Sequence, residues 1–376
     1  MMPEPSESGT RPALEEIEVI IPNLKKRYSG GTAVNRTIAP LIAKQCRAVW
    51  FGPDRPDGIG GLSVGELLKL RSVPPSRSRV RVWHARRNSE MLLGLALKLF
   101  GWRLKLIFNS AGQRRHSRYT ALLIDRMDEV IATSDKSASF LHRPATVIHH
   151  GIDTETYRPP VDRAAAFAQT GLPGKYGVGA FGRVRRQKGS DLFVEAMCRL
   201  LPRYPDFTAV VIGHVSVDNL TFVEKLKQRV AAAGLTERIR FLGELPIDEV
   251  PLWYQRISIY VFASRVEGFG LTMLEAMAAG DAVVATRAGA AETVIIDRRD
   301  GVLAPIGDVE AMVAALESLM EEPQQIAAIG VNARARVVAH FNRDREVDEI
   351  VGVYRRLLGS NLDSAFTRPA GSRGVS

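Results

Sequence analysis

The chain has 376 residues, 45% hydrophobic and 24% charged, with a formal net charge of +10. These proportions fit a globular protein of more than one domain and exclude a disordered or collagen-like chain. The longest apolar run, "MLLGLALKLFGW", is too short for a membrane span and contains Lys98, and two distant cysteines, Cys46 and Cys198, give neither a disulfide framework nor a metal pattern, which fits a reducing cytosol.

The opening "MMPEPSESGTRPALEE" has no apolar h-region, so it is not a signal peptide and is expected to be a disordered leader over 1–16. Six short β-rich runs follow: 18–23, 48–52, 80–85, 104–110, 129–134 and 145–151. Most are separated by helix-length patterns such as "TAVNRTIAPLIAKQC". The polar, Pro-containing "DTETYRPPVDR" reads as a hinge. Six more runs follow it: 176–182, 207–213, 239–243, 258–264, 282–287 and 301–305. Alternating strands and helices predict parallel sheets covered on both faces. The fold class is therefore α/β, with two doubly wound Rossmann-like domains over 17–158 and 159–340. The last helical pattern, over 341–358, could pack on either domain, and 359–376 reads as a disordered tail. The excess charge is all in the first half: residues 1–158 hold 25 Lys/Arg against 15 Asp/Glu, and 159–376 hold 26 against 26. With no nucleic-acid module in view, an anionic membrane surface is the expected partner of the first domain and no nucleic acid is expected.

Ligands of doubly wound sheets bind beyond the carboxyl ends of the strands, and two facing domains would leave a cleft between them. Two stretches lie at such ends. In "EGFGLTMLEAMAAG" (267–280), a Gly-rich loop after a strand runs into a helix that is apolar nearly all round. Its first amides and the positive end of its dipole suit a diphosphate. Only Thr272 and Glu275 are polar on this helix, and a buried carboxylate such as Glu275 needs a partner. Paired ribose hydroxyls would provide one; arginines on a helix face are the alternative. In "GAFGRVRRQKG" (179–189), Arg183 and Lys188 follow a strand end and suit the same diphosphate, Arg by its fork and Lys as a point charge.

Together, the E-x7-E spacing of Glu267 and Glu275, "GRVRRQKG" and the two-domain plan resemble the GT-B glycosyltransferases of the large retaining family 4, over roughly 17–358. The resemblance implies that Arg183 and Lys188 hold the donor diphosphate and that Gly268, Phe269, Gly270, Leu271 and Thr272 meet the phosphates and donor sugar. It implies that Glu275 binds the ribose, that Glu267 stands beside the transferred sugar, and that "FLGEL" (241–245) borders the base. Gly30 and Gly31 of "YSGGTAVNR" resemble the family's glycine loop after the first strand. No cofactor and no metal are implied, the nucleotide sugar being a substrate. The chain departs from the family where many members carry a histidine directly after the fourth strand: Ser110 stands there, and His116, six residues on, either reaches the cleft or is a surface residue. His149 and His150 match the "HGID"-type turn and read as structural. Segments such as "PNLKKRYSGGT", "NSAGQRRHSRYT" and "MDEVIATS" look most like the bacterial LpcC-like lipopolysaccharide core mannosyltransferases. That likeness implies GDP-mannose as donor, a Kdo–lipid A-type glycolipid as acceptor, and a cytoplasmic enzyme peripheral to the inner membrane. A UDP-sugar-dependent transferase for another envelope glycan, a nucleotide-sugar epimerase of the same fold and a catalytically silent GT-B subunit are the alternatives.

Overall fold

The computed structural model describes residues 11–25 and 30–359. The chain divides into two compact units, one of residues 1–148 and 346–376, the other of 149–345. The division comes earlier than the boundary expected at 158. It also assigns the last helix, Arg343–Leu358, to the first unit from Glu346 onward.

The first unit holds seven parallel strands: β1 (Val19–Pro22), β2 (Ala48–Phe51), β3 (Gly60–Leu62), β4 (Arg81–Ala85), β5 (Leu104–Ser110), β6 (Glu129–Ala132) and β7 (Thr146–Val147). Their order is β3-β2-β1-β4-β5-β6-β7. Strand β3 is absent from the six sequence-based expectations. Two of its three residues are glycines, so its pairing with β2 carries almost no hydrophobic pattern. The second unit holds β8 (Tyr176–Phe181), β9 (Phe207–Ile212), β10 (Ile239–Gly243), β11 (Ile259–Phe262), β12 (Ala282–Thr286) and β13 (Val302–Ala304), all parallel, in the order β10-β9-β8-β11-β12-β13. Both sheets thus reverse direction at their first strand, between β1 and β4 and between β8 and β11.

Alternation along each strand feeds two cores, one per face. In the second unit Val211, Ile259 and Val261 enter one core, while Val210, Ile212, Tyr260 and Phe262 enter the other. In the first unit Trp83, Ala85, Leu106, Phe108 and Val130 share one core. On the opposite face, His84 Nδ1 lies 2.6 Å from the Tyr354 hydroxyl of the last helix.

Residues 11–16 of the expected leader are structured. Arg11 pairs with Glu66 at 2.7 Å, and Leu14–Glu16 forms one 3-10 turn. The buried guanidinium of Arg81 takes the carbonyls of Leu14 (2.9 Å) and Ile17 (3.0 Å). Those bonds satisfy both the cation and the segment. Residues 1–10 and the expected tail beyond 359 lie outside the described residues. Among the described residues no helix is long and apolar enough to cross a membrane.

Candidate functional site

In an open α/β sheet, the loops leaving the two strands that flank the reversal diverge and leave a crevice at their carboxyl ends. In the second unit those strands are β8 and β11. Arg183 and Lys188 follow β8; Glu267 and the helix Leu271–Ala278 follow β11. The sheet order therefore brings the two quoted motifs together.

Several contacts lock the two loops to one another. Arg265 holds Asp191 through both carboxylate oxygens, at 2.7 and 3.0 Å, and takes the Arg186 carbonyl at 2.7 Å. Its own N–H donates to the Gln187 carbonyl at 2.8 Å. Gly189 completes the fit: it sits at φ 71°, and a Cβ there would lie 1.9 Å from the Ala263 carbonyl oxygen. Only glycine accepts both conditions. A third loop supports the assembly, since Ala290 N–H donates to the Phe269 carbonyl at 2.9 Å.

Within this frame Lys188 Nζ forms an ion pair with Glu267, both side chains about one-fifth exposed. The other Glu267 oxygen accepts from the Gly268 N–H at 3.0 Å. Arg183 is exposed at the mouth. Arg183, Lys188, Tyr260 and Thr272 line one small pocket. Arg185, which sequence reasoning passed over, lies in the same field. Burial pushes its pKa down, the neighbouring Arg183 adds to that, and Glu267 opposes it; its Nε is buried without a partner.

Gly270, at φ 108°, turns the chain into the helix Leu271–Ala278. Met273, Leu274, Ala276, Met277 and Ala278 are fully buried, as the apolar sequence predicts. Met273 N–H is taken by the Gly270 carbonyl at 3.0 Å. The amides before it have no intrahelical acceptor, which is the usual state of a helix start. Thr272 shares a hydrogen bond with the Tyr260 side chain, whose hydroxyl also reaches the Phe181 carbonyl at 3.3 Å.

Glu275 has partners that the sequence did not reveal. Tyr254 donates its hydroxyl to Oε2 at 2.8 Å, and Tyr157 also hydrogen-bonds the carboxylate. The arginines of the alternative reading are absent from this set. Burial raises the Glu275 pKa, and the two tyrosines and the Lys188 charge pull it back. Phe269 packs against the rings of His150 (5.1 Å) and His149 (6.5 Å), so both histidines have a packing role beside this loop. "FLGEL" lies at the end of β10, where the Gly243 carbonyl accepts from Gly213 at 2.7 Å.

In the first unit, His116 is half-buried, which corrects the plain surface reading. Its Nε2 is 3.4 Å from Ser110 Oγ, and its ring meets Phe108 edge-on. Burial, then Arg114 and His142, lowers its pKa. The loop beyond β5 thus folds back onto the end of its own strand. Gly30 and Gly31 are the first two residues of the helix Gly30–Gln45 rather than part of a loop. Residues 26–29, which precede them, lie outside the described residues.

The chain matches the family described as "Glycosyl transferases group 1" over residues 162–336, a stretch that includes both switch-point loops. It is 48% identical over 355 residues to the lipopolysaccharide core biosynthesis mannosyltransferase LpcC of Rhizobium leguminosarum bv. viciae, covering 93% of this chain and 99% of that protein. It is 42% identical over 350 residues to the lipopolysaccharide core biosynthesis mannosyltransferase LpsB of Rhizobium meliloti (strain 1021), covering 92% and 99%. The solved structure of Anabaena Alr3699/HepE in complex with UDP and glucose superposes with a TM-score of 0.75 at 21% identity, over 90% of this chain and 100% of that one. At that identity the likeness concerns the fold.

Proposed function

The chain belongs to the group 1 glycosyltransferases of the GT-B fold, and from that premise we propose that it is a retaining mannosyltransferase using GDP-mannose. The proposed acceptor is a lipopolysaccharide core glycolipid of the Kdo–lipid A type, met by a cytoplasmic enzyme at the inner-membrane surface. The observation that carries the donor half is the β8/β11 switch point. There a cationic loop, a helix start and the Lys188–Glu267 ion pair face one crevice. The likeness to two lipopolysaccharide core mannosyltransferases supports the sugar and the acceptor.

Charge builds on the leaving diphosphate as the anomeric C–O bond breaks. Fixed cations and amides aimed at that charge stabilise the transition state without reorganising. Arg183, Lys188 and the amides at the start of Leu271–Ala278 have this role. It is the role a metal ion fills in other transferases, so the reaction is proposed to be metal-independent. Glu267, held by Lys188 and the Gly268 amide, stands beside the sugar. Glu275 accepts from the ribose hydroxyls, oriented by Tyr254 and Tyr157.

Incubation of the full chain with a panel of nucleotide sugars and a core glycolipid, followed by mass detection, tests the proposal. Mannose transfer from GDP-mannose, undiminished by EDTA, is the expected result. Transfer from a UDP-sugar alone would overturn the donor assignment.

A further inference from the structure

The arginines of "HARRN" (84–88) have no role in the site described above, yet they stand at the end of β4, at the switch point of the first sheet. The register pairs Ala85 with Phe108 and Ser110 with Ala132. Ala85, Phe108 and Val130 face one core. Alternation therefore sends Arg86, Asn109 and Thr133 to the other face, at the carboxyl ends of β4, β5 and β6. That is the face on which His84 meets Tyr354. The charge of Glu346 and the Tyr354 side chain also act on Arg86 from there.

All three side chains end in buried polar atoms without a hydrogen-bond partner: Arg86 Nε and Nη2, Asn109 Oδ1 and Thr133 Oγ1. Buried polar groups are normally paired, and three on one face of adjacent strand ends call for a common explanation; Arg86 stands level with Asn109, and Thr133 lies two residues beyond Ile131, the register partner of Asn109. Neighbouring strands lie about 4.8 Å apart and two residues advance a strand by about 6.6 Å, so the three span roughly 12 Å. The adjoining groups are already committed. Glu90 accepts from the Arg86 backbone N–H at 2.8 Å and from Arg87 Nη1 at 3.3 Å, and Arg87 also donates to Asn23 Oδ1 at 2.9 Å. The Arg86 fork thus lies in the field of Glu346 and Glu90, with Nε and Nη2 bonded to neither.

We propose that Arg86, Asn109 and Thr133 form a subsite for an anionic sugar, with the Arg86 fork on its carboxylate or phosphate and Asn109 and Thr133 on its hydroxyls. A guanidinium fork matches either anion, and an amide and a hydroxyl match a polyol. This deepens the proposed function, on which it rests: the acceptor is read by its negative charge in the first unit.

The test compares wild type, Arg86→Met and Asn109→Asp as full chains. Two acceptors are used, a Kdo-bearing core glycolipid and the same molecule with its carboxylate reduced to an alcohol. Wild type should prefer the anionic acceptor by at least about tenfold in kcat/KM. Arg86→Met should abolish the preference. Asn109→Asp, nearly isosteric, supplies Arg86 with an internal carboxylate and should abolish it too. Protection against heat by GDP should be the same in all three, which reports that each is folded. A preference that survives both substitutions overturns the proposal. If wild type transfers to neither acceptor, the mannosyltransferase reading fails, and binding alone decides the subsite. Millimolar free Kdo or inorganic phosphate should then protect wild type and not Arg86→Met, and whichever protects identifies the anion. Equal protection of both proteins, or of neither, overturns the subsite.

Discussion

Glu275 sits where a carboxylate is costly, and Tyr254, Tyr157 and the charge of Lys188 hold it there. Glu275→Gln keeps the shape and loses the charge. Charge-assisted hydrogen bonds contribute roughly 1.5–3 kcal/mol, so GDP-mannose affinity should fall at least about tenfold by calorimetry. An unchanged affinity would remove the ribose role. The same residue predicts a pH effect in the donor-free protein. Burial sets its folded pKa above the unfolded value of about 4.3. Its favourable contribution is then complete below about pH 4.3 and declines as pH rises through the folded value. The stability of Glu275→Gln relative to wild type should therefore increase between pH 4 and pH 7, read from urea midpoints. A pH-independent difference would contradict the burial argument. The glutamate itself was legible from sequence, being polar in an apolar helix at E-x7-E spacing. Its tyrosines were not. Tyr254 lies on the helix Val250–Arg256 and Tyr157 in the stretch read as a hinge, and only the tertiary fold brings them to Glu275.

At the scale of elements, the crevice depends on two loops held in register. Arg265 is the fastener, with its carboxylate partner Asp191 and its backbone bonds to 186–187. Arg265→Ala should cost about 1–3 kcal/mol of stability by denaturant unfolding. It should also reduce turnover more than Arg199→Ala, which breaks exposed ion pairs away from the crevice. Equal effects would mean that the loops need no tie. Sequence shows elements best where side chains mark them. Strands β8 to β13 are apolar runs bounded by glycines and polar turns, and all six were expected. Strand β3 has little side-chain pattern and depends on β2. The return of 346–358 to the first unit is likewise decided by packing.

At the scale of the molecule, charge is divided between the halves of the sequence. The first unit also exposes Leu99, Phe100, Tyr119 and Leu122, with Arg114, Arg115 and Arg118 exposed nearby in the chain. The proposed membrane role predicts that the full chain sediments with anionic vesicles at low salt and is released at high salt, each basic residue contributing about 1 kcal/mol at most. Replacing Arg114, Arg115 and Arg118 by glutamate should weaken sedimentation, and undiminished binding would move the contact elsewhere. The proposed donor site places a guanosine diphosphate at the β8/β11 switch point of the second unit. Calorimetric titration of GDP into wild type and into the Arg183→Ala/Lys188→Ala double variant tests it most directly. Two lost charge-assisted contacts should raise Kd by about a hundredfold or more, with UDP weaker than GDP in wild type. A GDP Kd unchanged in the double variant would place the diphosphate elsewhere and remove the donor site from this crevice.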